Sequence, residues 1–221
     1  RPPATLLSDV EVHLATPTGD WVPRNYDRRV HGPVRLRAAL QNSYNVPAVR
    51  LAEELGPDAI LRVLRRAGFA SLDAGAQRYG AGLVLGNGDV TLRELARAYR
   101  GLARGGVAGP LREGRAARGP AGGPLPGGRG GAARPLPPAG RGGPPHHVLS
   151  DEAARAPAFG LSNALRLPFP VAAKTGTSRA YVDNWTVGFT AERTVAVWVG
   201  SFDGTPMRGV SGITGAGPIF A

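Results

Sequence analysis

The chain contains a single lysine, Lys174, set directly before Thr175-Gly176-Thr177-Ser178 in the stretch FPVAAKTGTSRAY. All the other members of its 27 Lys and Arg residues are arginine. A plain need for positive charge therefore does not explain why this ammonium is kept. Lysine is a compact point charge with three donors, and it moves protons where arginine cannot. Followed by two threonine hydroxyls, it suits an acyl substrate that carries a carboxylate. Gly176 leaves one strand face bare, so a second extended backbone can lie close against it. Alone, the tetrapeptide fits an edge strand guarded by a charge and a glycine bulge just as well. A second polar triplet, Ser43-Tyr44-Asn45, sets a hydroxyl and a carboxamide two residues apart. Alone, it fits a linker that caps the helix after it.

The elements that must hold these residues are legible from periodicity. GPVRLRAALQNSYNVPAVRLAEELG predicts two helices broken at Ser43-Tyr44-Asn45. Pro33 suits a first turn, Val34, Leu36 and Leu40 share a face, and Pro47 disfavours helix at Val46 and opens the second helix. That helix runs to Gly56; a third starts at Pro57, buries Ile60, Leu61 and Leu64, and stops at Gly68. In TLRELARAYRGLARGG, Thr91 and Glu94 form a capping box. Leu92, Leu95, Ala96, Tyr99 and Leu102 make its apolar stripe, and Gly105-Gly106 ends it. Near the start, DVEVHLAT reads as a strand carrying Val10, Val12 and Leu14. Late in the chain the period changes to two: DNWTVGFT and RTVAVWVGSFDG flank a TAER hairpin loop, and FPVAAKTGTS supplies a third strand. Antiparallel strands following a helical cluster predict an α+β fold. Residues 1–106 would form the N-terminal part and helical subdomain, and 148–221 the sheet portion.

Between them, residues 107–147 are expected to be a disordered insertion, because Gly, Pro and Arg bury too little apolar surface to offset ordering entropy. Residues 101–147 carry seven Arg against one Glu, so +6 of the net charge of +11 lies there and no folded basic groove is implied. The GRGG repeats at 128–131 and 140–143 raise RNA as a partner. No aromatic residue interleaves them, which weighs against nucleic acid. With no cysteine, disulfides and thiolate metal sites are excluded. His13, His31, His146 and His147 show no metal-ligand spacing, and no apolar run reaches 18 residues.

An S-x-N triplet at a helix break and a K-T-G strand after a helical cluster resemble the active site of the penicillin-recognising serine acyltransferases. The likeness extends through NGDVTLRELARAYRGLARGG, ARAPAFG, ALRLPFPVAAKTGTS and DNWTVGFTAERTVAVWVGSFDGTPMRGVSGITGAGPIF. Over most of the chain outside 107–147 it resembles the transpeptidase domain of class A penicillin-binding proteins, in the branch labelled 1C. The resemblance implies a serine β-lactamase/transpeptidase-like fold and D,D-transpeptidase activity within a bifunctional peptidoglycan synthase that also has glycosyltransferase activity. It implies that Lys174 favours anionic groups and helps move protons, and that Ser43 relays a proton to the leaving amine. Asn45 would hold the donor peptide's side-chain amide. Thr175 and Thr177 would bind the carboxylate beside Gly176 and Ser178, with the Thr177 amide in the oxyanion hole. Expected partners are peptidoglycan stem peptides and β-lactams, with no metal, no organic cofactor and no nucleic acid. The expected location is the periplasmic face of the bacterial inner membrane, tethered by an upstream helix.

The resemblance also shows departures. S-x-x-K needs a serine three residues before a lysine, and Val171 stands at that distance from Lys174. The nucleophile is expected in a segment upstream of PATLLSDV, so these residues would be an N-terminally incomplete fragment, inactive alone. A helix expected between VLS and ARAPAFG has only DEA in its place. Tyr44 stands where many relatives carry Asp. A hydrolytic relative would need a base such as Glu53 or Glu54, which instead fit the solvated face of a helix. A non-catalytic peptide-binding remnant is the other reading.

Overall fold

A computed structural model describes residues 1–16, 19–109, 111, 134–135 and 145–221. Its N-terminal part is built from two small antiparallel pairs. Strand β1 (Leu6–Asp9) pairs with β4 (Gly32–Arg35), and β2 (Leu14–Thr16) pairs with β3 (Gly19–Trp21). The expected single strand through Val10 and Val12 is therefore corrected. The chain leaves β1 at Asp9, Val10 is exposed, and the second strand begins only at Leu14. Pro33 lies in β4 opposite Ser8 rather than in a helical turn. A two-stranded ribbon has a free side on each strand, where a missing N–H costs nothing.

Helix α1 (Leu36–Gln41) follows β4 directly, and α2 (Asn45–Leu55) begins after the break at 42–44. Pro47 is thus the third helical residue, where its absent N–H would have had no intrahelical acceptor. The α2 start is capped from a distance: Asn25 Oδ1 accepts the N–H groups of Asn45 and Val46, at 2.8 and 3.2 Å. Helix α3 (Pro57–Ala67) ends on Gly68 in the left-handed region, φ 107°. Short α4 (Ala76–Tyr79) and a 3₁₀ turn at Ala81–Leu85 lead to α5 (Leu92–Ala103). The Thr91–Glu94 capping box is present in both directions. Leu61, Phe69, Leu72, Leu83 and Ala98 form the helical core. Each large aliphatic side chain so buried is worth about 1.5–3 kcal/mol. Leu92, placed on the stripe by periodicity, is exposed instead.

Most of the expected disordered insertion lies outside the described residues. At its edges the structure differs from the expectation: β5 (Val107–Ala108) pairs with β6 (Arg134–Pro135), and residues from 145 enter α6 (Pro145–Leu149). DEA is no remnant either. Asp151 caps α7 (Glu152–Phe159) by accepting the Ala154 N–H at 3.0 Å, so DEAARAPAF forms a helix.

The sheet has the order β7 (Ala172–Thr177), β8 (Asp183–Phe189), β9 (Thr194–Gly200), all antiparallel. The TAER loop closes its hairpin with a bond from Thr190 N to Arg193 O. Side chains alternate across the sheet. Ala172 and Phe189 pack with Leu149, Tyr99 and Leu102, toward α5 and α6. Ala173 packs with Val171, Leu165 and Phe220 of α8 (Ala216–Phe220) on the opposite face. The architecture is α+β, a three-stranded sheet between helical layers. Strand β7 is one of its two edges.

Candidate active site

Lys174 and Ser43 meet. Lys174 Nζ donates to Ser43 Oγ at 2.7 Å and to the Thr175 carbonyl at 2.8 Å. Among the described residues no carboxylate pairs with it. Burial pushes the Lys174 amine down to about 8, and the neighbouring Arg155 guanidinium acts in the same direction. Arg155 is itself buried and held by uncharged acceptors: Leu149 O at 2.7 Å, Gln41 Oε1 at 3.4 Å and Leu165 O at 3.5 Å. Among the described residues no carboxylate bonds to either cation, although Glu152 and Asp151 act on Arg155 from further off, and Lys174 is left to favour a negatively charged ligand.

The Ser43 break is held by its neighbours. Among the described residues Ser43 is one of four non-glycine residues with positive φ, at 57°. The Asn42 carboxamide donates to Ala38 O and Ala154 O and accepts from Ala158 N. Gln41 Nε2 donates to Val148 O and Asp151 O. These bonds fasten the end of α1 to α6 and α7. Asn45 Nδ2 donates to Arg24 O at 2.9 Å, which leaves its Oδ1 to accept. Tyr44 lies with its ring on His31, centroids 4.1 Å apart and planes 16° from parallel.

On β7, alternation decides what each residue offers. Ser178 N donates to Asp183 O at 2.9 Å, so residues 178 and 183 are a hydrogen-bonded pair. Counting back along the register, Thr177–Asn184 and Thr175–Thr186 are the non-bonded pairs, whose backbone groups point away from the partner strand. The Thr175 and Thr177 amides therefore face the free edge, and the Thr175 carbonyl there accepts from Lys174. Thr177 Oγ1 accepts from Gly212 N at 2.9 Å, keeping its own hydrogen free to donate. Gly212 has no room for a side chain: a Cβ would lie 2.4 Å from Gly176 O. At Gly176 a Cβ would meet only the Trp185 side chain, at 3.5 Å. Ser178 Oγ is occupied by the Asp183 N–H at 2.8 Å and serves the turn. Lys174 lies on one face of β7, and the Thr175 and Thr177 side chains on the other. The site is gathered around the strand's edge rather than on one face.

Sequence reasoning missed Arg155, Gln41, Asn42 and Asn25, and weighed His31 only as a metal ligand. Only Gln41 and Asn42 carried a signal, as carboxamides next to the S-x-N triplet.

The sheet between helical layers is the serine β-lactamase-like fold of penicillin-recognising proteins. Residues 8–113 match the family described as "Penicillin binding protein transpeptidase domain". Penicillin-binding protein 1C of Escherichia coli is 35% identical over 217 residues, covering 98% of this chain and 26% of that protein. Penicillin-binding protein 1B of Vibrio cholerae is 28% identical over 230 residues, covering 99% of this chain and 27% of that protein. Penicillin-binding protein 1A from Haemophilus influenzae shares the fold with a TM-score of 0.71 at 22% identity, over 99% of this chain and 38% of that structure. The PonA1 protein from Mycobacterium tuberculosis, solved with penicillin V, aligns with a TM-score of 0.68 at 25% identity, over 98% of this chain and 61% of that one. The chain belongs to the transpeptidase domain of the class A penicillin-binding proteins. It spans about a quarter of the length of the curated relatives that it matches along its whole length.

Proposed function

We propose that this domain works in a bifunctional cell-wall synthase that cross-links peptidoglycan stem peptides by serine acyl transfer. The 2.7 Å bond between Lys174 Nζ and Ser43 Oγ carries the reading. Because the lysine donates to Oγ, the Ser43 O–H is free to point at a leaving amine. The nucleophile is a serine of an S-x-x-K motif that these 221 residues do not contain.

In the complete protein that serine gives its hydroxyl proton to the lysine of its own S-x-x-K motif as its Oγ attacks the penultimate D-Ala carbonyl. Oxyanion charge develops against the Thr177 amide, a contribution worth about 3–4 kcal/mol in acyl transfer. The C–N bond breaks as Ser43 passes its proton to the departing D-Ala amine, and Lys174 re-supplies Ser43. An acceptor amine then attacks the acyl-enzyme and loses its proton back through Ser43 to Lys174, and the new peptide bond releases the serine, which takes its hydrogen back from the motif lysine. The Thr175 and Thr177 hydroxyls with Lys174 hold the substrate carboxylate. Asn45 Oδ1 accepts the donor peptide's amide N–H. A β-lactam enters by the same carboxylate and stops at the acyl-enzyme. Only side chains and backbone amides take part. The working location is the periplasmic side of the inner membrane.

Incubation with a fluorescent penicillin tests this. The full-length protein is expected to become covalently labelled, and these 221 residues are not. Labelling of this chain alone would contradict the assignment of the nucleophile. A full-length protein that takes no label would leave a peptide-binding remnant.

A further inference from the structure

Ser43 holds a left-handed backbone that a serine seldom adopts, and in that conformation its hydroxyl meets Lys174. Upstream, the Asn42 carboxamide fixes it. Downstream, the hydrogen-bond network converges on one carboxylate, Asp9, which is wholly buried.

Asp9 Oδ2 lies 2.6 Å from His31 Nδ1 and accepts the His31 backbone N–H at 3.1 Å. The other ring nitrogen, Nε2, lies 3.0 Å from Asp27 Oδ2. The imidazole is thus held at both ring nitrogens, each by a carboxylate oxygen. Fixed in this way, it lies flat on the Tyr44 ring. Asp9 also binds the Asn25 carboxamide through both oxygens at 2.9 Å, and Asn25 in turn holds the N–H groups of Asn45 and Val46. One buried carboxylate therefore grips both residues that follow Ser43: Tyr44 through His31, and Asn45 through Asn25.

We propose that His31, clamped between Asp9 and Asp27, is a positioning residue for the acyl-transfer site, which stacks Tyr44 so that Ser43 stays turned toward Lys174. It touches no substrate and acts through Tyr44. The assignment rests on the transpeptidase reading for its kinetic consequence, and on geometry alone for its structural one.

The test uses the full-length protein and fluorescent penicillin, with the labelling rate followed against penicillin concentration. That separates the dissociation constant of the first complex from the limiting acylation rate. Tyr44→Leu and His31→Leu remove the stack; Tyr44→Phe keeps it. The limiting rate is expected to fall about tenfold or more in both leucine variants, while the dissociation constant moves less than about threefold, because misplacing a reacting group costs rate rather than binding. Tyr44→Phe is expected to rescue most of the loss. If His31→Leu does not fold, the Tyr44 pair carries the comparison, since Tyr44 is only half-buried. Equal rates in Tyr44→Leu and Tyr44→Phe would overturn the proposal, as would a loss confined to the dissociation constant. A crystal structure of Tyr44→Leu gives an answer that needs no activity. Ser43 leaving its left-handed conformation supports the proposal, and Ser43 unmoved against Lys174 overturns it. An unlabelled wild-type protein would sink the transpeptidase reading only, and that structure would still decide the positioning role.

Discussion

Lys174 and Ser43 are 131 residues apart in sequence, and a 2.7 Å hydrogen bond from Nζ to Oγ joins them. That contact closes the gap between a helix break and a sheet edge. It also requires an ammonium in a place that depletes it of water, and the first two predictions follow from that conflict.

Lys174→Met is expected to stabilise the fold while abolishing acylation in the full-length protein. Burial lowers the folded-state pKa from 10.5 to about 8, so below pH 8 the folded chain holds a charge that costs it about 3 kcal/mol. Between about 8 and 10.5 the unfolded chain binds the proton that the folded one has released, so wild-type stability rises with pH there. The gain from methionine should be full at pH 7 and fade toward pH 10.5. Chemical denaturation at several pH values measures it. A methionine variant less stable at pH 7 would contradict the electrostatic account.

Acylation is expected to fall as pH rises through about 8, because a neutral amine no longer supplies the proton that Ser43 passes on. Lys174→Arg carries a charge that does not titrate in this range, so whatever rate it retains should lack that limb. Penicillin-labelling rates between pH 6 and 9.5 report both profiles.

Gly212→Ala should destabilise the sheet by about 1–3 kcal/mol, since the added methyl overpacks against backbone that cannot rotate away. The clash is with Gly176 O and Trp185 O, at 2.4 and 2.6 Å. The same shift would withdraw the N–H that Thr177 Oγ1 accepts. Thermal unfolding and the dissociation constant for penicillin should both worsen. Unchanged values would show that the loop is not packed this way.

Glu94 accepts from Ser71 N, Ser71 Oγ and Thr91 N, at 2.9, 2.5 and 3.0 Å. Partial burial raises its pKa, but these hydrogen bonds outweigh that and hold the carboxyl down at about 2. Glu94→Gln should therefore cost about 1 kcal/mol at pH 7. A depressed carboxyl stabilises the fold above its unfolded pKa of about 4.5, and that contribution is lost as pH falls toward 2. The difference between the two proteins should shrink across that window. Parallel unfolding curves at pH 7 and pH 3 would show it.

What the sequence reveals depends on the range of the interaction. Capping at Thr91–Glu94 and alternation at Trp185, Val187 and Phe189 act over a few residues, and both are written locally. The start of α2 is not, because its cap is Asn25, 20 residues upstream. Nor is the conversion of Pro33 to a strand position, which depends on pairing with β1. At the site, Lys174 and Ser43 declare themselves by type and motif. Arg155 looks like one arginine among many, and only folding shows that it is buried beside Lys174. His31 is silent for the same reason: its two carboxylates come from positions 9 and 27.

The structure of the full-length protein acylated by a penicillin tests the central claim most directly. The account predicts the ligand carboxylate against the Thr175 and Thr177 hydroxyls, with the acyl oxygen on the Thr177 amide. Ser43 Oγ should lie within hydrogen-bonding reach of the ring nitrogen and still accept from Lys174. A penicillin attached elsewhere, with its carboxylate away from the β7 edge and Ser43 turned from Lys174, would contradict it.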